Sequence, residues 1–339
     1  MISSTSDNVR FIGDMPISGL LTGLWQVSGA HGLIQPEAAV LSMFEYAESG
    51  FNTWDVADHY GPAEEFIGEF RRQLLNAKED ELLSKLRVFT KWVPSSASIS
   101  KDIVRQAVTR SLRRMGVERL DLLQFHWWDY DDNRYLQALD FLSDIKAGGR
   151  ITNLGLTNFD TERLGQILSK GISVVSNQVQ YSMIDRRPEN QMALLCQSNG
   201  VHILAYGTVC GGLLTDRYLG SAEPRDFELN TASLKKYKQM IDAWGGWELF
   251  QELLLVARGI ADKHSVSVAN VAVRYILDRP AVAGVIVGAR LGIVGHIEDN
   301  RRIGNFHLDC DDLENLETIL KKSRNLMDTI GDCGDEYRI

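Results

Sequence analysis

The sequence predicts an α/β fold, a closed (β/α)8 or TIM barrel with long loops over its carboxyl-terminal face and extra helices. Three observations predict it. Eight short apolar runs recur along the 339 residues, stretches with helical periodicity lie between them, and several runs end in a titratable side chain. Strands alternating with helices argue for a parallel sheet. A parallel barrel collects its chemistry at the carboxyl ends of its strands.

The first four runs are Gly19 to Trp25, Asn52 to Val56, Val88 to Trp92 and Leu120 to Phe125. The next four are Ile151 to Leu156, Ile172 to Val179, Val201 to Ala205 and Val285 to Val287. After the third run, Ile103, Val104, Ala107, Val108, Leu112 and Met115 recur at helical spacing. Leu164, Ile167 and Leu168 do so after the fifth run, and Met192, Leu195 and Cys196 after the sixth. Ser100-Lys-Asp and Asn158-Phe-Asp-Thr161 read as helix starts. The seventh and eighth runs stand far apart, at Ala205 and Val285. Between them lie a polar stretch, Gly220 to Asp226, and two helical patterns, Trp247 to His264 and Ser267 to Leu277. That insert reads as a loop over the barrel mouth plus an additional helix. Residues 1–339 read as a single barrel domain, with 1–10 and 325–339 as candidate flexible tails. The polar 325–339 stretch is either disordered or folded over the mouth.

With 44% hydrophobic and 24% charged residues, the chain can bury a core. Its net charge of −9 argues against nucleic acid as a partner, and no basic tract forms a phosphate-tracking stripe. No apolar run reaches the roughly 18 residues of a membrane span, so no membrane partner is expected. Met1 to Arg10 is too polar for a secretory signal. Cys196, Cys210, Cys310 and Cys333 are scattered, with no CxxC pair, which fits a reducing compartment. The expectation is a soluble, cytoplasmic protein. The pattern assigns no oligomeric state.

The densest chemistry is Asp55-Val-Ala-Asp-His-Tyr60-Gly61, straight after the second apolar run. Lys91 closes Arg87 to Thr90, and His126 closes Leu120 to Phe125. Taken singly, each has a plain reading. A tyrosine after a strand packs as a half-buried core residue, and an aspartate there caps a turn. A lone lysine is solvated, and a lone histidine is a satisfied core residue. At the ends of strands two, three and four together, they make a proton-transfer site. A phenol ionises near pH 10. The Lys91 ammonium is expected to favour phenolate and lower the Tyr60 pKa. Asp55 would pair with Lys91, and His126 would hydrogen-bond a carbonyl oxygen. Cys210-Gly211-Gly212 is either a flexible turn or a backbone cradle for an anion. No GxGxxG or Walker motif occurs, which leaves Rossmann and P-loop readings unsupported.

From about Gly19 to Phe306 the chain resembles the aldo-keto reductases. Asp55-Val-Ala-Asp-His-Tyr60-Gly, Phe89-Thr-Lys91 and Asp121-Leu-Leu-Gln-Phe-His126-Trp resemble the family's second-, third- and fourth-strand motifs. The resemblance implies a catalytic tetrad of Asp55, Tyr60, Lys91 and His126. Gly155-Leu-Thr157-Asn158-Phe159 and Asn177-Gln178-Val-Gln-Tyr181 resemble the fifth and sixth strands, which implies that Thr157, Asn158 and Gln178 hold a nicotinamide carboxamide. Tyr206 would stack on the nicotinamide ring. Cys210-Gly211-Gly212-Leu-Leu-Thr215 resembles the loop beside the pyrophosphate, and Gly207, Thr208 and Val209 lead into it as cofactor contacts. Gly23, Leu24 and Trp25 match the first-strand turn, but Leu24 stands where a threonine is common. Gly288, Arg290, His296, Asp299 and Asn300 resemble the adenosine end, with about two extra residues within Leu291 to Gly295. The Arg290 guanidinium would suit a 2′-phosphate, with Arg217 or His296 as the alternative.

Trp25, His59, Trp92, Trp127 and Trp128 follow the ends of strands one to four. They are expected to form an aromatic mouth for an aldehyde or ketone with a hydrophobic body, or for a sugar. The resemblance implies reduction of a small-molecule carbonyl to an alcohol, with NADP(H) preferred over NAD(H) and no metal. Two alternatives stand beside it: an NAD-linked sugar or alcohol dehydrogenase, and a nicotinamide-binding regulatory subunit similar to the potassium-channel β subunits.

Overall fold

The computed structural model describes residues 9–29, 34–94, 99–293 and 295–338. Eight parallel strands close a barrel: β3 (Leu20–Gly23), β4 (Thr53–Asp55), β5 (Arg87–Trp92), β6 (Leu120–His126), β7 (Ile151–Thr157), β8 (Ser176–Gln180), β9 (His202–Tyr206) and β10 (Val282–Gly288). They follow chain order around the barrel, and β10 pairs with β3 to close it. Each of the eight apolar runs overlaps one strand, but the eighth run starts three residues late, since β10 begins at Val282. The sixth run starts too early, because Ile172 and Val174 are buried in the approach to β8 and burial alone does not distinguish loop from strand.

Side chains alternate along each strand, and that alternation builds two cores. Leu21, Phe89, Leu122, Leu204 and Ala283 fill the barrel interior. Val88, Trp92, Leu123 and Phe125 pack outward in the larger core shared with the surrounding helices. An antiparallel hairpin, β1 (Val9–Ile12) and β2 (Met15–Ser18), precedes the barrel and inserts Ile12, Met15 and Ile17 into the interior cluster. This hairpin was not read from the sequence. Val9 and Arg10 are therefore paired strand rather than tail, while residues 1–8 lie outside the described residues.

Helices α1 (Pro36–Glu48), α2 (Ala63–Ala77), α3 (Asp80–Lys85), α4 (Lys101–Met115), α5 (Tyr135–Ala147), α6 (Thr161–Ser169) and α7 (Met192–Ser198) fill the crossovers. Both expected helix starts are present. The Ser100 side chain accepts from the Ile103 N–H, and that of Asp160 from the Arg163 N–H. The insert before β10 holds α8 (Ala232–Trp244), α9 (Gly246–His264) and α10 (Val268–Leu277). The sequence reading had the last two and missed α8. Past the barrel come α11 (Ile297–Arg302), α12 (Cys310–Leu320) and α13 (Leu326–Thr329). Of the two alternatives for the final stretch, residues 325–338 take the folded one and lie over the mouth. Among the described residues no helix is long and apolar enough to cross a membrane.

Helices α2 and α4 pack with little space between them. A Cβ on Gly68 would overlap the Arg114 carbonyl oxygen, which is fixed backbone. Gly68→Ala should therefore cost about 1–3 kcal/mol of stability through overpacking. Urea unfolding of the variant beside the parent checks this, and an unchanged midpoint refutes it.

Candidate active site

Asp55, at the end of β4, is almost fully buried, as are Lys91 on β5 and His126 on β6. Lys91 Nζ donates to Asp55 Oδ2 at 2.5 Å and to the Val56 carbonyl at 3.0 Å. Gln124 and Gln178 donate from Nε2 to Asp55 Oδ1 at 3.0 and 2.7 Å. Gln178 also donates to Gln124 Oε1 at 2.8 Å. Gln124 had no role in the sequence reading. It sits two residues before His126 on the same strand face, so strand alternation alone would have placed it at the site.

Tyr60 lies in the loop after β4, with its ring centroid 4.9 Å from Lys91 Nζ. Arg114 holds that loop by donating to the Asp58 carbonyl at 2.9 Å, while also bonding Glu64. Burial first, then the Asp55 carboxylate, pushes the Tyr60 phenol well above its ordinary value. The expected lowering by Lys91 is thus reversed here. The Lys91 charge is countered by Asp55, and burial lowers the Lys91 pKa as well. Burial, assisted by Arg338, His59 and Lys91, holds His126 down to about 3. Its imidazole is neutral, and its buried Nε2 has no hydrogen-bond partner.

These groups open on one cavity of about 910 Å3, within the usual range for a ligand site. Asp55, Tyr60, Lys91 and His126 all line it. So do Gly23, Trp25, Thr157, Asn158, Gln178, Tyr206, Gly207, Thr208, Val209, Gly211 and Arg217. Gly288, Arg290, His296, Asp299 and Asn300 line it too. Val294, within the stretch of two extra residues, lies outside the described residues. Leu24 and Cys210 do not line the cavity. Both side chains are wholly buried in the outer core, and burial pushes the Cys210 thiol up to about 12. Of the expected aromatic mouth, Trp25, His59 and Trp128 are present. Trp92 and Trp127 are not. Strand alternation turns them away from Lys91 and His126, and they pack on Phe125 behind the barrel wall.

The segment 325–338 supplies a wall that the sequence reading missed. Tyr337 lines the cavity, with its ring 6.4 Å from that of His126 and 6.0 Å from that of Trp128. Its hydroxyl lies 3.1 Å from that of Tyr206. Buried Arg187 anchors the segment through Asp185 at 2.8 Å, Glu336 at 3.0 Å and the Asp332 carbonyl at 2.8 Å. Arg338 donates to the carbonyls of Trp127 and Asn158 at 2.7 and 2.9 Å.

The cavity residues fit a nicotinamide cofactor. Buried Thr157 Oγ1 lacks a partner and stands beside Asn158 and Gln178. Asn158 adopts φ 56°, and its Oδ1 accepts from the Tyr206 hydroxyl at 2.9 Å. A free hydroxyl among side-chain amides suits a carboxamide.

A sequence profile of the aldo/keto reductase family matches residues 19–321. The chain belongs to the aldo/keto reductase family. It is 33% identical over 180 residues to flagellar radial spoke protein 5 of Chlamydomonas reinhardtii, covering 48% of this chain and 34% of that protein. It is 21% identical over 301 residues to the NADH-specific methylglyoxal reductase of Escherichia coli (strain K12), covering 81% of this chain and 87% of the relative. An aldo/keto reductase structure from Klebsiella pneumoniae, in complex with NADP and acetate, superposes with a TM-score of 0.69 at 21% identity. That match covers 93% of this chain and 95% of the other. Relatives in the aldo/keto reductase family are NAD(P)H-dependent oxidoreductases, and this chain is an enzyme of that class.

The depressed His126 pKa has a measurable consequence. The native imidazole stays neutral down to about 3, whereas the unfolded one takes a proton below 6.5. The stability it supports is present above 6.5 and falls away as the pH drops. For this group alone the loss between pH 7 and pH 5 is about 2 kcal/mol. Urea unfolding at the two pH values should show His126→Gln losing correspondingly less stability than the parent. Identical losses would contradict the buried neutral state.

Proposed function

We propose that this aldo/keto reductase carries out NADPH-dependent reduction of an aldehyde or ketone to an alcohol. The observation that carries the reading is the partnerless Nε2 of buried, neutral His126, which lines one cavity with Tyr60. The bound cofactor would supply hydride from its nicotinamide. Thr157, Asn158 and Gln178 would hold the carboxamide. Gln178 already uses its amide N–H groups on Asp55 and Gln124, which leaves its oxygen as the acceptor. Tyr206 would offer its ring face. Gly211 would face the pyrophosphate, and Gly288, Arg290, His296, Asp299 and Asn300 the adenosine end. Arg217, which also lines the cavity, would be the alternative partner of a 2′-phosphate.

His126, as the Nε2–H tautomer, would donate to the substrate carbonyl oxygen and aim it at Tyr60. Tyr60 would pass its phenolic proton to the alkoxide as negative charge forms there. The Lys91 ammonium would stabilise the phenolate left behind, and Asp55 would keep Lys91 charged and in place. The phenol's high pKa holds its proton in place until that charge arrives. Trp25, His59 and Trp128 would receive the body of the substrate.

Tyr60→Phe removes the proton and keeps the ring. It should lower carbonyl reduction by at least about 100-fold, as expected for loss of a general acid, with NADPH affinity near that of the parent. Steady-state NADPH oxidation with a panel of aldehydes measures the first, and fluorescence titration the second. A variant retaining more than half its activity would remove Tyr60 from this role.

Cofactor choice rests on Arg290. Both nicotinamide cofactors occur among the similar proteins, since the Klebsiella pneumoniae structure holds NADP and the Escherichia coli relative is NADH-specific. Arg290 stands just past β10, exposed and lining the cavity, where barrel phosphate sites often lie. A charge-assisted contact to a 2′-phosphate contributes about 1.5–3 kcal/mol. Arg290→Ala should thus weaken NADPH about tenfold to a hundredfold and barely alter NADH. Equal NADPH affinity before and after the change refutes the assignment.

A further inference from the structure

Lys236 is a cation in the cavity wall that the proton-transfer scheme leaves unused. It projects from α8, the helix missed in the sequence. Its ammonium donates to the Tyr337 hydroxyl and lies 4.0 Å from the centroid of that ring. The Tyr206 and Tyr237 centroids are 5.2 and 5.4 Å away. Ring faces attract an ammonium, but they leave its charge in place.

Of the neighbouring cations, two are paired with carboxylates, while Arg338 keeps Nε and Nη1 without hydrogen-bond partners. Lys91 is paired with Asp55, and Arg187 with Asp185 and Glu336. Arg338 is bonded to two carbonyls. Glu336, the carboxylate closest along this network, turns one oxygen to Arg187 and has the other 3.3 Å from the Tyr206 hydroxyl. Among the described residues no carboxylate forms an ion pair with Lys236, whose recorded partners are the three tyrosines. Tyr337 meanwhile faces His126 and Trp128. Tyr337 thus links Lys236 to His126, its ring centroid lying 4.0 Å from the Lys236 ammonium and 6.4 Å from the His126 ring.

We propose that Lys236 and Tyr337 form a recognition site for an anionic group, a carboxylate or a phosphate, carried by the carbonyl substrate. Both would donate to the anion, the ammonium from α8 and the phenol hydroxyl it bonds. Such charge-assisted bonds are the stronger kind, and they would set the distance between the anion and the reacting carbonyl. This assignment rests on the reductase reading and names the substrate class for it.

The test uses the full chain with NADPH and two substrate pairs. 4-Carboxybenzaldehyde is set against 4-methylbenzaldehyde, and glycolaldehyde phosphate against glycolaldehyde. The anionic member of at least one pair should have a kcat/KM at least tenfold above its neutral partner, with the difference in KM. Whichever pair responds identifies carboxylate or phosphate. Lys236→Gln should lower the anionic-to-neutral ratio at least tenfold, Tyr337→Phe should lower it less, and Lys236→Arg should restore most of it. Equal values within both pairs, or a ratio indifferent to Lys236→Gln, overturns the proposal. Titration with terephthalate, read by quenching of half-exposed Trp128, provides a measurement that needs no turnover. Its affinity should fall at least tenfold in Lys236→Gln. If NADPH affinity falls instead and terephthalate binding holds, Lys236 serves the cofactor and the proposal fails. If no carbonyl is reduced yet terephthalate binding depends on Lys236, the reductase reading fails and the anion site stands.

Discussion

The Asp55 carboxylate is the constraint on which the site depends. It accepts from Lys91, Gln124 and Gln178, and so joins β4 to β5, β6 and β8. A buried ion pair is stable only when its remaining hydrogen-bonding capacity is filled, because an uncompensated buried charge costs several kcal/mol. The two glutamines fill that capacity. Barrel register makes the arrangement possible, with Asp55 level with Phe89 and Lys91 level with Gln124. Lys91 in turn holds the Val56 carbonyl, where the Tyr60 loop begins. A shift of one residue in any of these strands would turn its polar side chain to the opposite face.

Burial also decides the protonation state around the cavity. Tyr60 retains its proton and His126 stays neutral for the same reason, since neither can ionise cheaply away from water. Lys91 and Asp55 cancel each other. The space before Tyr60 is thus rich in donors, and its uncancelled positive charge comes from Lys236 and from Arg338, which bonds carbonyls alone. New negative charge on a substrate oxygen would find those donors already oriented, which is the least costly way to stabilise it.

Much of this was legible in the sequence. Strands buried on both faces read as continuous apolar runs, and all eight were found that way. Asp55, Lys91 and His126 followed because each stands at the end of such a run, and Tyr60 because it lies five residues past Asp55. Orientation was equally legible but was not used. Trp92 adjoins Lys91, and Trp127 adjoins His126, so alternation sends both outward, while Gln124 shares the inward face with His126. Other features depend on contacts that no local pattern reveals. The Tyr60 pKa is set by burial and by how far Asp55 cancels Lys91. The wall at Tyr337 needs Arg187, far earlier in the chain, to meet Glu336. Helix α8 had a local signal in Tyr237, Met240, Ile241 and Trp244, but lysines crowd the positions before them.

The Arg187 anchor has a consequence for how such a barrel diversifies. Asp55, Lys91 and His126 come from β4, β5 and β6, and Tyr60 from the loop after β4, whereas Tyr337, which faces His126, comes from a short stretch beyond α13. A compact knot of charge at Arg187 fastens that stretch beside β8, and Arg338 ties it to the Trp127 and Asn158 carbonyls. On the proposed function, substitutions in that stretch would alter which molecules fit while leaving Asp55, Lys91 and His126 in place. What enters the cavity and what happens there would be set by separate lengths of polypeptide.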